Sequence, residues 1–259
     1  MESVNDFVTQ VSAVTDVEVR KLWHDPMELF TRAIQPVLWL LLFGEVMAHV
    51  RGLGGDQVGY LDFLAPGILA QSVLFAAIFY GIAAIWERDL GILQRYLVSP
   101  APRVAIVMGK ALSSTVRSLA QAVVVYAVAF AVGSDLSFAP LHLAGVLLLI
   151  AIGSGLFSTF SLIIACIVKT RERFMGIGQV LTMPIFFASN AIYPIALMPH
   201  WLQIVSRLNP LTYEVDALRA LMLRGGEPVL GFAVDFAVLI VTLGVVVAVA
   251  ARLLPRMAA

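Results

Sequence analysis

The sequence predicts an all-α membrane protein: six transmembrane helices, an amphipathic interfacial helix ahead of them, and two short amphipathic helices before the last span. Three observations lead there. Hydrophobic residues make up 60% of the 259 residues and charged residues 13%, against roughly 25% charged in a soluble domain. The mean hydropathy is +0.93. The apolar residues gather into runs near the ~20 residues that cross a bilayer as helix, leaving no room for a separate soluble domain. Residues 1–259 are therefore read as one transmembrane domain. The formal net charge is zero, which argues against a nucleic-acid footprint. Cys166 is the single cysteine, so no intrachain disulfide can form, and it reads as a small packing residue.

Each element follows from its residues. In the first thirty, Val14, Val17, Leu22 and Trp23 mix with Asp16, Glu18, Arg20 and Lys21. This pattern suits a helix lying at the headgroup level, where Trp is enriched, or else a solvated tail. The stretch is polar and of mixed charge, unlike a secretory leader, so insertion is expected to rely on the first span. Asp25-Pro26 ends this element. The spans then run from about Ala33 to Val50, Phe63 to Trp86, Val104 to Gly133, Leu141 to Val168, Phe174 to about Ala191, and Val229 to Ala251. An even number places both termini on one side. Arg20, Lys21, Arg32, Arg88, Arg95, Arg103, Lys169, Arg171, Arg173, Arg252 and Arg256 fall on that side, which positive charge assigns to the cytoplasm.

Between the second and third spans, residues 87–103 form a short charged segment. Leu90, Leu93 and Leu97 recur at i, i+3 and i+7, the spacing of one helical face. Glu87, Arg88, Gln94 and Arg95 surround that face, and Pro100 and Pro102 stop the helix. Such a helix either joins two spans through water or lays its apolar face into a groove on a partner.

Residues 189–228 are not a plain span, because Pro194, Pro199 and Pro210 interrupt them. Trp201, Ile204, Val205 and Leu208 make one short apolar stripe, and Leu211, Val215, Leu218 and Met222 make another. Two short amphipathic helices near the outer interface are expected, and a partly re-entrant pair would have to pack on a neighbour.

Residues able to carry chemistry are few. Lys110 and Arg117 lie in the inner half of the third run. They read either as the wet foot of a long helix, with the nearer side chain reaching the cytoplasm, or as a basic vestibule for anionic headgroups. Glu45 and His49, one turn apart, and Asp235 sit near outer ends of spans, at the interface or as proton or cation sites. His24, His49, His142 and His200 are scattered, which excludes an obvious metal site. No phosphate-binding loop occurs, since Gly109-Lys110 is followed by alanine and lacks the upstream glycine. The chain is therefore expected not to hydrolyse ATP. Ser154 and Ser158, with Gly155 and Thr159, and Gly176 with Gly178 are small residues that allow close helix packing, within the chain or at a dimer seam. Phe75, Phe79, Phe186 and Phe187 are candidates to line a substrate path.

Three segments, in order, carry a resemblance. Glu87, Arg88, Gly91, Leu93, Ser99 and Pro100 follow the second span in an E-R-x-x-G-x-L-x-x-x-x-x-(S/T)-P pattern. Ser189-Asn-Ala-Ile-Tyr-Pro-Ile-Ala-Leu-Met-Pro-His-Trp-Leu is followed by Asn209-Pro-Leu-Thr-Tyr-Glu-Val-Asp-Ala-Leu-Arg219. Asp25-Pro26 leads through Gln35-Pro36-Val-Leu-Trp-Leu-Leu-Leu-Phe43. Together they resemble the permease subunits of type-2 ATP-binding-cassette exporters, a family of drug, polysaccharide and lipo-oligosaccharide exporters.

The resemblance implies that 87–103 is a cytoplasmic coupling segment. Glu87, Arg88, Leu90, Gly91, Leu93, Arg95 and Leu97 would then meet a separate ATPase subunit. It implies that 189–228 is the extracellular re-entrant hairpin, marked by Tyr193, Pro194, Trp201, Asn209, Pro210 and Tyr213, with Asn209-Pro210 as hinge. It also implies a second permease chain, identical or related, meeting this one mainly through spans one and five. ATP and magnesium would be bound by the ATPase and no cofactor by this chain. The expected setting is the inner (cytoplasmic) membrane, where membrane lipid is the other partner. The expected cargo is an amphiphilic drug, lipid or glycan. A proton- or ion-coupled carrier using Glu45, His49 and Asp235, and a structural anchor without transport, are the rival readings.

Overall fold

The computed structural model describes residues 16, 34–44, 46, 59–98, 102–168 and 170–257, with backbone alone at 95–97, 256 and 257. The amphipathic helix expected in the first thirty residues, Glu45, His49, Ser99 and Pro100 lie outside the described residues, as do the side chains of Arg95 and Leu97. Among the described residues the long elements are helices: α1 (Ile34–Gly44, its second half a π-helical turn over Trp39–Gly44), α2 (Tyr60–Asp89), α3 (Ile92–Val98), α4 (Arg103–Ala131), α5 (Pro140–Ile167), α6 (Arg171–Phe187), α7 (His200–Leu208), α8 (Pro210–Met222) and α9 (Phe232–Leu253). The isolated bridge between Leu136 and Leu223 is antiparallel.

Four of these, α2, α4, α5 and α9, are long and apolar enough to cross a membrane. At 1.5 Å per residue the 30 residues of α2 extend about 45 Å, beyond the ~30 Å hydrocarbon core. The fifth expected span corresponds to α6, which has 17 residues, and the described part of the first to α1.

Helix α2 is the axis of the bundle. Buried residues run along it from Tyr60 to Ile85, and it packs on α4, α5, α6 and α8. Helix α9 is its opposite: 17% of its apolar stretch is buried, against 78% for α2. Two clusters make the interior. The larger joins α2 from Tyr60 to Ile78 with Val146, Ile150 and Phe157 of α5 and Leu211, Val215 and Leu218 of α8. The smaller joins Ala84 and Ile85 with Leu93, Ile106, Leu162, Phe174 and Leu254.

In lipid, burying an apolar side chain gives little drive, so association rests on close packing and interhelical hydrogen bonds. The contacts match that requirement. A Cβ at Gly81 would lie 2.2 Å from Ser161 Oγ and 2.5 Å from Phe174 Cζ, so only glycine lets α2, α5 and α6 meet there. The Gly81 N–H donates to Ser161 Oγ at 3.1 Å. Ser154 of α5 meets Ser114 Oγ at 2.9 Å and Ser118 Oγ at 3.0 Å, both on α4. The small residues of the fourth span thus form a seam within the chain.

The segment after Glu87 differs from its expectation as one continuous helix. Helix α2 ends at Asp89, and the Leu90 and Gly91 N–H groups close it by donating to the carbonyls of Trp86 and Arg88, each at 3.0 Å. Gly91 has φ +72°, a left-handed conformation that costs other L-residues about 1–2 kcal/mol. Helix α3 then starts at Ile92. Leu90 and Leu93 therefore do not share a face: Leu90 is 66% exposed and Leu93 is fully buried.

At the opposite end, α7 and α8 differ in burial. Trp201, Ile204, Val205 and Leu208 of α7 are exposed, whereas Leu211, Val215, Leu218 and Met222 of α8 are wholly buried. The first stripe faces away from the interior of the bundle. The second is an interior helix, packed on α2, α5 and α9.

Candidate functional site

A hollow of about 930 Å³ lies between α2 and α4, with Gln35 and Pro36 of α1 at its side. One wall is a stripe on α2, Gln71, Phe75, Phe79, Ile82 and Trp86, whose spacing is that of one helical face. The other wall is Arg117 and Gln121, one turn apart on α4. Leu90 and Ile92 close the end nearest α3.

The helices also set the depth of each group. Lys110 of α4 pairs with Glu87 of α2, which fixes the antiparallel register there. Arg117 lies seven residues further along α4, about 10 Å deeper, with its guanidinium 5.7 Å from the Tyr80 ring centroid. Gln71 and Gln121 lie deeper again. The Gln71 side chain is 3% exposed, and its Oε1 meets no donor among the described residues. The rings of Phe75 and Phe79, centroids 6.3 Å apart, form an apolar strip beside these polar groups.

Of the four aromatics expected along a substrate path, Phe75 and Phe79 are on the cavity wall. Phe186 is not: it is buried in the larger cluster, edge-on to Trp39 at 6.1 Å. Phe187 is 41% exposed and packs on Phe186. Gln71 and Gln121 are the residues that the sequence reading passed over. Polar side chains in mid-span are costly, and that signal was present in both.

The α3 end of the cavity is also a junction. Trp86 lies under the guanidinium of Arg171, 3.6 Å from Cζ to the ring centroid. Arg171 Nη2 donates to Asp89 Oδ2 at 2.8 Å, and Arg88 Nη2 donates to Asp89 Oδ1 at 2.8 Å. The start of α6 is thereby latched to the end of α2. Glu87 and Lys110 form a second junction, with side chains 14% and 5% exposed. Glu87 is therefore engaged inside the bundle rather than presented to a partner, and Lys110 is buried rather than reaching for water. Leu93, expected as docking area, is buried in the smaller cluster. Among the described residues of the break and α3, Leu90 and Val98 are left outward, 66% and 83% exposed.

The hairpin end is tied by side chains that bond to backbone. Asn209 caps α8 by accepting from the Leu211 N–H at 3.0 Å, and its Nδ2 donates to the Ile185 carbonyl at 2.6 Å. Tyr213 donates to the Arg207 carbonyl at 2.6 Å, and Tyr193 to the Phe187 carbonyl. Arg219 donates to the Asn190 carbonyl at 2.9 Å and lies 3.8 Å over the Phe63 ring. Asp216 accepts from the Leu230 N–H at 2.8 Å. Pro194 precedes a 3-10 turn, Ile195–Leu197, and Pro210 opens α8 at its first turn, where the missing N–H is harmless. Trp201 is 66% exposed. Two acids nearby are fully buried without a donor among the described residues: Asp235, and Glu214 packed on Gly153.

The sequence is similar to a known family and to several named permeases. The family described as ABC-2 type transporter matches residues 9–223. The transport permease ycf38 of Cyanophora paradoxa is 33% identical over 207 residues, covering 78% of this chain and 70% of that protein. The daunorubicin resistance ABC transporter permease protein DrrB1 of Streptomyces coeruleorubidus is 24% identical over 199 residues, covering 77% and 70%. The inner membrane transport permease YadH of Escherichia coli K12 is 24% identical over 220 residues, covering 78% and 82%.

Proposed function

The chain belongs to the ABC-2 type transporter family, and from that premise we propose that it is the membrane-spanning permease of an ATP-driven exporter. A separate ATPase subunit binds ATP and magnesium, and this chain converts its closure into movement of the spans. The observation that carries the reading is the position of Trp86 and Glu87. Both line the cavity, and both lie within one turn of the Leu90–Gly91 break that starts α3. A load on α3 thus reaches the cavity wall across the two-residue break and through Leu93, which packs with Ala84 and Ile85 of α2.

In this reading the end bearing Glu87 to Val98 and both termini face the cytoplasm. The six expected spans stand with α1 and α6 as the first and fifth. Leu90 and Val98 supply docking area, and Arg88 and Arg95 supply charge for orientation. Residues 189–228 form the extracellular hairpin, with α8 inserted and α7 lying outward. A second permease chain meets the exposed apolar faces of α1 and α6, where Leu38, Leu42, Val180 and Met183 point outward. Cargo enters the cavity from the cytoplasm or inner leaflet and leaves beneath the hairpin, out of the inner membrane.

Purification in mild detergent from the native cell tests this. A stoichiometric ATPase bearing a phosphate-binding loop is expected with the chain, together with ATP-dependent accumulation of cargo in inverted vesicles. Purification without any ATPase, and transport that ignores ATP but collapses with the proton gradient, would overturn the reading in favour of an ion-coupled carrier.

A further inference from the structure

Helix α8 has 13 residues, too few to cross a bilayer, and two of them are buried acids, Glu214 and Asp216. Asp216 has a partner, since it accepts from the Leu230 N–H at 2.8 Å. Glu214 has none among the described residues, and both its oxygens are closed off from solvent.

The Glu214 carboxyl occupies a notch in α5. A Cβ on Gly153 would overlap it, so only glycine leaves room there. A Cβ on Gly145 would lie 2.7 Å from Leu221 Cδ1. These two contacts, 145 with 221 and 153 with 214, set α5 and α8 antiparallel. They put Glu214 opposite the fourteenth of the 28 residues of α5, about 20 Å from the start of that span. An ionisable group at such depth is costly and marks a function.

The surroundings fix its state. A carboxylate with neither donor nor cation in an apolar interior is far costlier than the neutral acid, so the group keeps its proton. The groups on the packed elements offer no counter-charge. On α5, His142 and Cys166 lie near the two ends. At the start of α2, Tyr60 donates to the Ile192 carbonyl and Asp62 accepts from the Asp135 N–H. On α8, Tyr213 and Arg219 donate to the carbonyls of Arg207 and Asn190. Asp235 of α9 is itself fully buried without a donor among the described residues.

We propose that Glu214 is a proton-binding site that governs the seating of α8: the helix sits in the bundle with Glu214 protonated, and loss of that proton favours its withdrawal. A water-exposed glutamate ionises near pH ~4.3, so the withdrawn helix releases the proton that the seated helix holds. Seating therefore weakens about tenfold for each unit that pH rises above that value, until the seated acid itself ionises. The proposal goes beyond the exporter reading and needs neither ATPase nor cargo.

The test uses the full chain in nanodiscs of neutral phosphatidylcholine. At about pH 7.5, well above the ordinary glutamate value, infrared spectroscopy should show the C=O band of a protonated carboxyl. Glutamate labelled with carbon-13 at the side-chain carboxyl should shift that band, Glu214→Gln should remove the shifted component, and Asp235→Asn should leave it. Hydrogen exchange read by mass spectrometry then follows the helix. Protection of α8 relative to α5 should fall about tenfold per unit between about pH 5.5 and about pH 8. Glu214→Gln should flatten that dependence.

Absence of a label-shifted carboxyl band in the unaltered chain would overturn the proposal, whether or not the variant folds. So would relative protection of α8 that is flat with pH, or whose pH dependence persists in Glu214→Gln. Failure here leaves ATP-driven transport intact, whereas failure to find an ATPase leaves the protonation result standing.

Discussion

At the hairpin end, Asn209, Tyr213, Arg219 and Asp216 each bond to a backbone group of another segment. At the opposite end, Glu87 pairs with Lys110 and Arg171 with Asp89, side chain to side chain. The difference is one of exchangeability. The bonds to the Ile185, Asn190 and Leu230 backbone groups are part-buried, and such groups find few alternative partners unless the fold opens. An ion pair that is about one-third exposed, such as Arg171 with Asp89, is worth about 0–1 kcal/mol and is readily traded for water or another charge. On the proposed exporter reading, the hairpin end persists while the Arg171–Asp89 contact at the α3 end can be rearranged from outside.

Substitutions can break or sharpen that contrast. The largest effect is expected at the hairpin end. A Cβ at Gly67 would lie 2.2 Å from the Ala191 carbonyl oxygen, so Gly67→Val should cost about 3 kcal/mol or more through forced separation of α2 and the hairpin, seen as loss of monodisperse protein in size-exclusion chromatography. Leu93→Asp comes next, at about 3 kcal/mol for an unpaired charge in a closed cluster. Leu90→Asp, three residues away but 66% exposed, should leave the detergent melting temperature unchanged. If the two melted alike, the break at Gly91 would be wrong.

Arg219→Met should cost about 2 kcal/mol, because it strips the Asn190 carbonyl of its donor. At the other end, Glu87→Gln or Lys110→Met alone should cost about 1–2 kcal/mol, and Glu87→Met with Lys110→Met less than their sum, read as a double-mutant cycle in thermal melts. The smallest stability effect is expected for Asp89→Asn, under about 1 kcal/mol. With the ATPase bound, however, it should lower the cargo moved per ATP severalfold. A large melting shift with unaltered transport would reverse the roles assigned to the two ends.

Much of this was legible in the chain. Composition and apolar run length were enough for an all-helical membrane protein, because lipid leaves no other partner for the backbone. The prolines at 194, 199 and 210 were enough to interrupt the segment before the last span. The motifs about Glu87 and Asn209 carried the family. What stayed hidden was direction. One glycine at φ +72° turns α3 so that Leu93 goes inward and Leu90 outward, and regular spacing cannot register such a turn. Phe75 and Phe186 are the same residue in similar apolar runs, yet one lines a cavity and the other fills the interior.

The sequence by itself determined that this chain lives among lipids, as helices, within one transporter family, since those follow from local chemistry. Only the tertiary structure decided that Lys110 meets Glu87, that Arg117 and Gln121 face Gln71 across a hollow, and that Arg171 closes over Trp86. Those facts depend on register between helices far apart in the chain, and register is a property of packing that no single run of residues contains.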